Sequence, residues 1–171
     1  MNYAELKSHD IANGPGVRVS LFVSGCTHRC KDCFNQEAWD FDYGKPFDEA
    51  VMDHILELLK PHYIKGITYL GGEPLDPRNQ EGLLTLSRKI KETYPDKTIW
   101  CFTGYVLERD ILTDKLGPHT KNLLSLCDVL VDGPFIAELK NLKLKFRGSE
   151  NQRLLDIQKT LACKQAVLWE E

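Results

Sequence analysis

The chain is predicted to be an α/β domain folded as a partial, open parallel (β/α) barrel of about five to six strands. Three observations predict it. Short apolar stretches with strand periodicity alternate with longer stretches of helical periodicity. The cysteine-rich and glycine-rich loops follow the strands, where ligands gather in parallel βα architecture. Finally, 171 residues fall well short of the roughly 250 that a closed eight-fold barrel takes.

Val17, Val19, Leu21 and Val23 alternate with Arg18, Ser20, Phe22 and Ser24, the period of two of a strand that ends at Gly25. Residues 47–60 place Val51, Met52, Ile55, Leu58 and Leu59 at helical spacing before Pro61. Gly66 to Leu70 reads as a second strand running into Gly71-Gly72-Glu73-Pro74, and a helix is expected from about Asn79 to Thr93, ahead of Pro95. Thr98 to Phe102 forms a third strand entering Thr103-Gly104-Tyr105. A helical stretch containing Leu123, Leu124 and Leu126 precedes a fourth strand, Asp128 to Val131. A helix over about 150–162 and a fifth strand, Ala166 to Trp169, complete the alternation. It implies right-handed βαβ units, which bring the loops after the strands together as one site.

Composition narrows the class. Residues 1–171 read as a single domain, large enough to bury a core without disulfides. Six cysteines are too few for a secreted scaffold, and their clustering reads as metal ligation in a reducing compartment. Residues 1–7 lack the basic start and apolar stretch of a signal peptide, and no run approaches the roughly 20 apolar residues of a membrane span. A cytoplasmic protein without a membrane partner is expected. A net charge of −3 with interspersed signs gives no support to a nucleic-acid partner. The local run Lys140, Lys143, Lys145 and Arg147 reads as a solvated face first and a docking patch second.

Cys26, Cys30 and Cys33 carry the strongest functional signal. A structural zinc site closes its tetrahedron with four protein ligands, and no second cysteine pair exists to complete one. A cubane iron-sulfur cluster takes one thiolate per iron, so three thiolates leave one iron open to a substrate or cofactor. Buried or zinc-bound thiols are the bland alternative. Gly71-Gly72-Glu73-Pro74 lets backbone approach a ligand closely, or else is an ordinary strand-to-helix turn.

The Cys-x-x-x-Cys-x-x-Cys spacing followed by Phe34, with Gly71-Gly72-Glu73-Pro74, resembles the radical S-adenosylmethionine (SAM) superfamily. Asn13 to Arg18, Leu21 to Cys26, Val131 to Phe135 and Arg147 to Arg153 sharpen that resemblance across essentially the whole chain. It is to the activating proteins of anaerobic ribonucleoside-triphosphate reductase, which are glycyl-radical enzyme activases. The resemblance implies a barrel of the radical SAM type, with a 4Fe-4S cluster on Cys26, Cys30 and Cys33 and SAM chelating the open iron. Asp32, Cys33 and Phe34 would contact the adenosyl portion, and Gly71, Gly72 and Glu73 the amine end. Reductive cleavage of SAM would give a 5'-deoxyadenosyl radical that abstracts hydrogen from a glycine Cα of the reductase. A low-potential donor such as flavodoxin or ferredoxin would supply the electron. Longer activases, such as that of pyruvate formate-lyase, show Asp-x-Lys where this chain has Asp132-Gly133-Pro134, and an acidic residue where it has Phe102 before Thr103. Thr103 and Asp132 are nevertheless candidates to lie near SAM.

Other residues read as ordinary. His28 is expected to be an exposed loop residue, Cys101, Cys127 and Cys163 small buried hydrophobes, and Trp39, Trp100 and Trp169 packing groups. Arg147, Asn151 and Arg153 suit either partner docking or a local hydrogen-bond framework. Competing functions are an activase of another glycyl-radical enzyme, an iron-sulfur electron carrier, and a zinc-stabilised binding module.

Overall fold

A computed structural model describes residues 1–33 and 36–171; Phe34 lies outside the described residues. The strands are β1 (Asn2–Asp10), β2 (Val17–Val23), β3 (Lys45–Pro46), β4 (Ile64–Gly71), β5 (Thr98–Phe102), β6 (Val129–Asp132) and β7 (Arg153–Asp156), and the α-helices are α1 (Glu49–Leu59), α2 (Pro77–Thr93), α3 (Thr120–Ser125) and α4 (Ile157–Cys163). They form one seven-stranded sheet in the order β3-β1-β2-β4-β5-β6-β7. The centre, β2-β4-β5-β6, is parallel. β1 and β3 on one side and β7 on the other are antiparallel. Both ends of the sheet stay open, as the partial barrel required.

The helices start where the sequence offers caps. Asp48 accepts from Val51 N at the head of α1, and Asp76 from Arg78 N ahead of Pro77 at the head of α2. On the helix side, Val19, Leu21 and Val23 of β2, Ile67 and Tyr69 of β4, and Ile99 and Cys101 of β5 pack into the main core with Ile55, Leu59, Leu83 and Ile90. The opposite face of β2 is also covered, which the alternating pattern did not announce. Arg18 is 1 % exposed. Its guanidinium donates to Thr68 Oγ1, Thr98 Oγ1, Ile67 O and Thr98 O at 2.8–3.0 Å and lies over Trp100. Beside it, Trp100, Val129 and Val131 are closed over by Phe146, Leu154 and Trp169.

Seven strands correct the expected five to six. β1 carries charged residues at alternate exposed positions, so no apolar run marked it. At the other end, Arg153–Asp156 was expected to be helical but pairs with β6, and α4 begins only after Asp156, whose carboxylate accepts from Lys159 N. The expected strand Ala166 to Trp169 contributes a single bridge, Leu168 to Leu155. Cys101 and Cys127 are buried as expected, while Cys163 is exposed. Among the described residues no helix is long and apolar enough to cross a membrane.

Candidate iron-sulfur site

The carboxyl ends of β2, β4, β5 and β6 open into one cavity of about 210 Å³. Just beyond the end of β2, a φ of +100° at Gly25 turns the chain out. The loop that follows is closed at its neck by the returning turn Gln36–Trp39, through Gly25 N to Ala38 O at 2.6 Å and Cys26 N to Trp39 O at 3.1 Å. Between these limbs Cys26, Cys30 and Cys33 are half-buried and line the cavity. Burial pushes the Cys26 thiol up to about 11 and also raises Cys30, so in isolation both favour the neutral thiol.

Gly71, Gly72 and Glu73 form the adjoining wall. Gly72 N donates to Val23 O and Glu73 N to Gly25 O, at 2.9 and 2.7 Å, which wedges this turn beneath the cysteine loop. A Cβ at Gly72 would stand 2.5 Å from Gly25 O and 2.9 Å from Ala38 O. The glycine there admits the backbone at the neck of the cysteine loop, while Gly72 also lines the cavity.

The Glu73 carboxylate is 1 % exposed and accepts four hydrogen bonds. Oε1 takes His28 Nε2 and Gly104 N, both at 2.7 Å; Oε2 takes Leu75 N and Thr103 Oγ1, both at 2.8 Å. One side chain therefore ties the turns after β2, β4 and β5 together. His28, expected to be exposed, is instead packed in this cluster, with Tyr105 edge-on at 4.4 Å. Burial opposes its charged form, but the bond and the charge of Glu73 outweigh burial and raise its pKa.

The remaining expected residues fall in different places. Thr103 lines the cavity and is held to Glu73. Asp32 is exposed at a φ of +59°. Asp132 is 1 % exposed and turned to Arg153 Nε, Arg153 Nη2 and Leu107 N, while its neighbour Gly133 lines the cavity. Arg147, Asn151 and Arg153 form a local framework: Arg147 bonds Gln152 O, Asn151 bonds Pro134 O, and Arg153 joins Asp132 to Glu108. Gln152 staples the 147–149 turn to Gly133 and itself lines the cavity with Phe135. Sequence reasoning missed His28, Phe135, Gln152 and the cavity role of Trp39. The order of Val131 to Phe135 and Arg147 to Arg153 was the only available signal for Phe135 and Gln152.

The donor set, three half-buried thiols of one loop lining one cavity, suits a polynuclear cluster. A cubane distributes its cysteines over separate irons. The comparisons agree with this class: residues 12–155 match the 4Fe-4S single cluster domain. Over 154 residues the chain is 45% identical to the anaerobic ribonucleoside-triphosphate reductase-activating protein of Haemophilus influenzae, covering 89% of this chain and 96% of that one. It is 43% identical to the protein of the same name from Escherichia coli K12, with the same coverage. A third relative of that name, from Enterobacteria phage T4, is 40% identical over 90% of this chain and 93% of its own length. The chain is thus a 4Fe-4S single cluster domain protein. More narrowly, it belongs to the family of anaerobic ribonucleoside-triphosphate reductase-activating proteins.

Proposed function

We propose that this chain is a radical SAM activase that generates a glycyl radical on anaerobic ribonucleoside-triphosphate reductase. The observation that carries the reading is the single cavity shared by three cysteine thiols and the Gly71 to Glu73 turn, at the carboxyl ends of an open sheet. Cys26, Cys30 and Cys33 would hold the 4Fe-4S cluster, leaving one iron for the amine and carboxylate of SAM. When bound, the cluster would supply the one-electron reduction that splits the sulfonium of SAM, and the resulting nucleoside radical would take hydrogen from a glycine Cα of the reductase. The electron would come from a low-potential donor such as flavodoxin or ferredoxin.

The protein's own contribution is placement. The Glu73 carboxylate is filled by four donors from within the chain, and the Gly72 and Glu73 amides already donate to Val23 and Gly25. An amine bound to iron keeps N–H donors that need acceptors, and among the described residues no backbone donor reaches the Gly72 carbonyl; that carbonyl is our assignment for the amine end of SAM. Asp32, Cys33 and Phe34 would flank the adenosyl portion. Thr103 acts by locking Glu73, and Asp132 by fixing, with Arg153, the turn that carries Gly133. Because neither edge of the sheet closes on the other, a macromolecular substrate can complete the wall and exclude water from the radical.

Anaerobic reconstitution tests this directly. About four irons per chain are expected, lost on substituting Cys26, Cys30 or Cys33 by Ala and retained on substituting Cys101, Cys127 or Cys163. With reductant and the reductase, SAM should yield methionine and 5'-deoxyadenosine, a glycyl signal should appear by electron paramagnetic resonance, and deuterium from the glycine Cα should enter the nucleoside. Stoichiometric zinc in place of iron, or deuterium arriving from a free small molecule, would overturn the proposal.

A further inference from the structure

We infer that His28 is a positioning residue, a clasp that holds the loop of Cys26, Cys30 and Cys33 against the turn after β5. The inference rests on the reading above, that these thiols hold the cluster. Past its neck the loop bends through two non-glycine residues in the left-handed region, Arg29 at φ +52° and Asp32 at φ +59°, a conformation that L-residues adopt only at a cost. A hydrogen bond from Cys33 N to Cys30 O closes the turn between them at 3.2 Å. Such a segment needs an external tie to present three thiols at fixed spacing.

Two side-chain contacts with carboxylates reach out from the loop, and they are unequal. Lys31 to Glu138 is a 3.8 Å contact between side chains 76% and 69% exposed; His28 to Glu73 is 2.7 Å with side chains 15% and 1% exposed. Exposed pairs contribute little, whereas a short, dry bond to a carboxylate is among the stronger single contacts. The partner is also immobile, since Glu73 is held by Gly104 N, Leu75 N and Thr103 Oγ1. The room for the ring is reserved: a Cβ on Gly104 would stand 2.7 Å from His28 Cδ2 and 2.8 Å from Nε2. Tyr105 closes the other side of the imidazole. The glycine at 104 therefore leaves the space in which the clasp lies flat against the turn.

The test begins on the cluster-free protein. His28→Ala should raise amide hydrogen exchange across residues 26–33, and the alkylation rates of Cys26 and Cys30, by about tenfold. His28→Gln, whose amide can donate to Glu73, should restore most of the protection. In the reconstituted protein, His28→Ala should release iron to a chelator faster and broaden the shift that SAM induces in the electron paramagnetic resonance spectrum of the reduced cluster, and Gln should again rescue both. Wild-type exchange and alkylation in His28→Ala would overturn the inference, as would a Gln variant no better than Ala. If His28→Ala fails to fold by circular dichroism, the Gln variant decides: protected thiols support the clasp, and alkylation as fast as in unfolded chain overturns it. A wild-type protein that binds no cluster or leaves SAM intact would instead sink the function proposed above, while exchange in the cluster-free protein still reports on the clasp.

Discussion

Individual polar side chains inside this fold carry well-defined burdens. Asp10, at the end of β1, accepts from Ser20 Oγ at 2.7 Å, Asn13 Nδ2 at 2.7 Å and Ala12 N at 3.0 Å. Burial pushes its pKa up, but these bonds prevail and the net shift is downward. A carboxylate depressed in the folded state contributes stability above its unfolded pKa, and that contribution is lost as pH falls through the folded value. Asp10→Asn should therefore cost about 1–2 kcal/mol at pH 7, and the gap to wild type should close as the pH drops below about 4. Urea unfolding at the two pH values checks this; a gap that is constant with pH would show that the charge is immaterial. Arg18 makes a related point without a carboxylate partner: its planar fork meets two hydroxyls and two carbonyls at once, a set that the point charge of lysine cannot reproduce.

At the scale of elements, the antiparallel pairing of β6 and β7 brings Arg153 opposite Asp132 and makes their ion pair the lock of the turn beside the cavity. Asp132 is buried and Arg153 only partly so, which makes the loss of the arginine severe: an unpaired carboxylate remains in the interior. Arg153→Met should destabilise by about 3 kcal/mol, and adding Asp132→Asn should recover a substantial part, because it removes the stranded charge. A double-mutant cycle by chemical denaturation measures this, and simple additivity would show that the two side chains are independent. The outcome also bears on the cavity, since a carboxylate committed to Arg153 acts on its lining only through the turn that carries Gly133.

For the whole molecule, the face of the sheet opposite the main core is covered at Trp100 by Phe146 and the C-terminal Trp169. Trp169 meets Trp100 edge-on at 5.0 Å and Phe146 meets it at 5.4 Å, which together cover a face that an incomplete barrel would leave wet. Trp169→Ala should cost about 3 kcal/mol and move the fluorescence of Trp100 to longer wavelength as water reaches it. It should leave the iron content of reconstituted protein unchanged, because the cysteine loop is anchored by Gly25, Ala38 and Glu73 instead. Loss of iron with the tryptophan would mean that the two ends of the barrel are coupled.

What the sequence by itself determined was local. The four central strands follow from runs whose periodicity needs only neighbouring residues, and the cysteine spacing together with Gly71-Gly72-Glu73 placed the candidate site after them. Because parallel strands all point their carboxyl ends one way, those motifs had to meet. The tertiary structure alone decided the rest. β1 and β7 are strands because a partner lies beside them, with little apolar signal of their own in β1 and a helical neighbour obscuring β7. His28 and Glu73 are 45 residues apart in the chain, and nothing within a few residues of either predicts that an imidazole between two cysteines will find a buried carboxylate. Periodicity is written along the backbone, whereas the partner of a polar side chain is chosen only when distant turns are brought together.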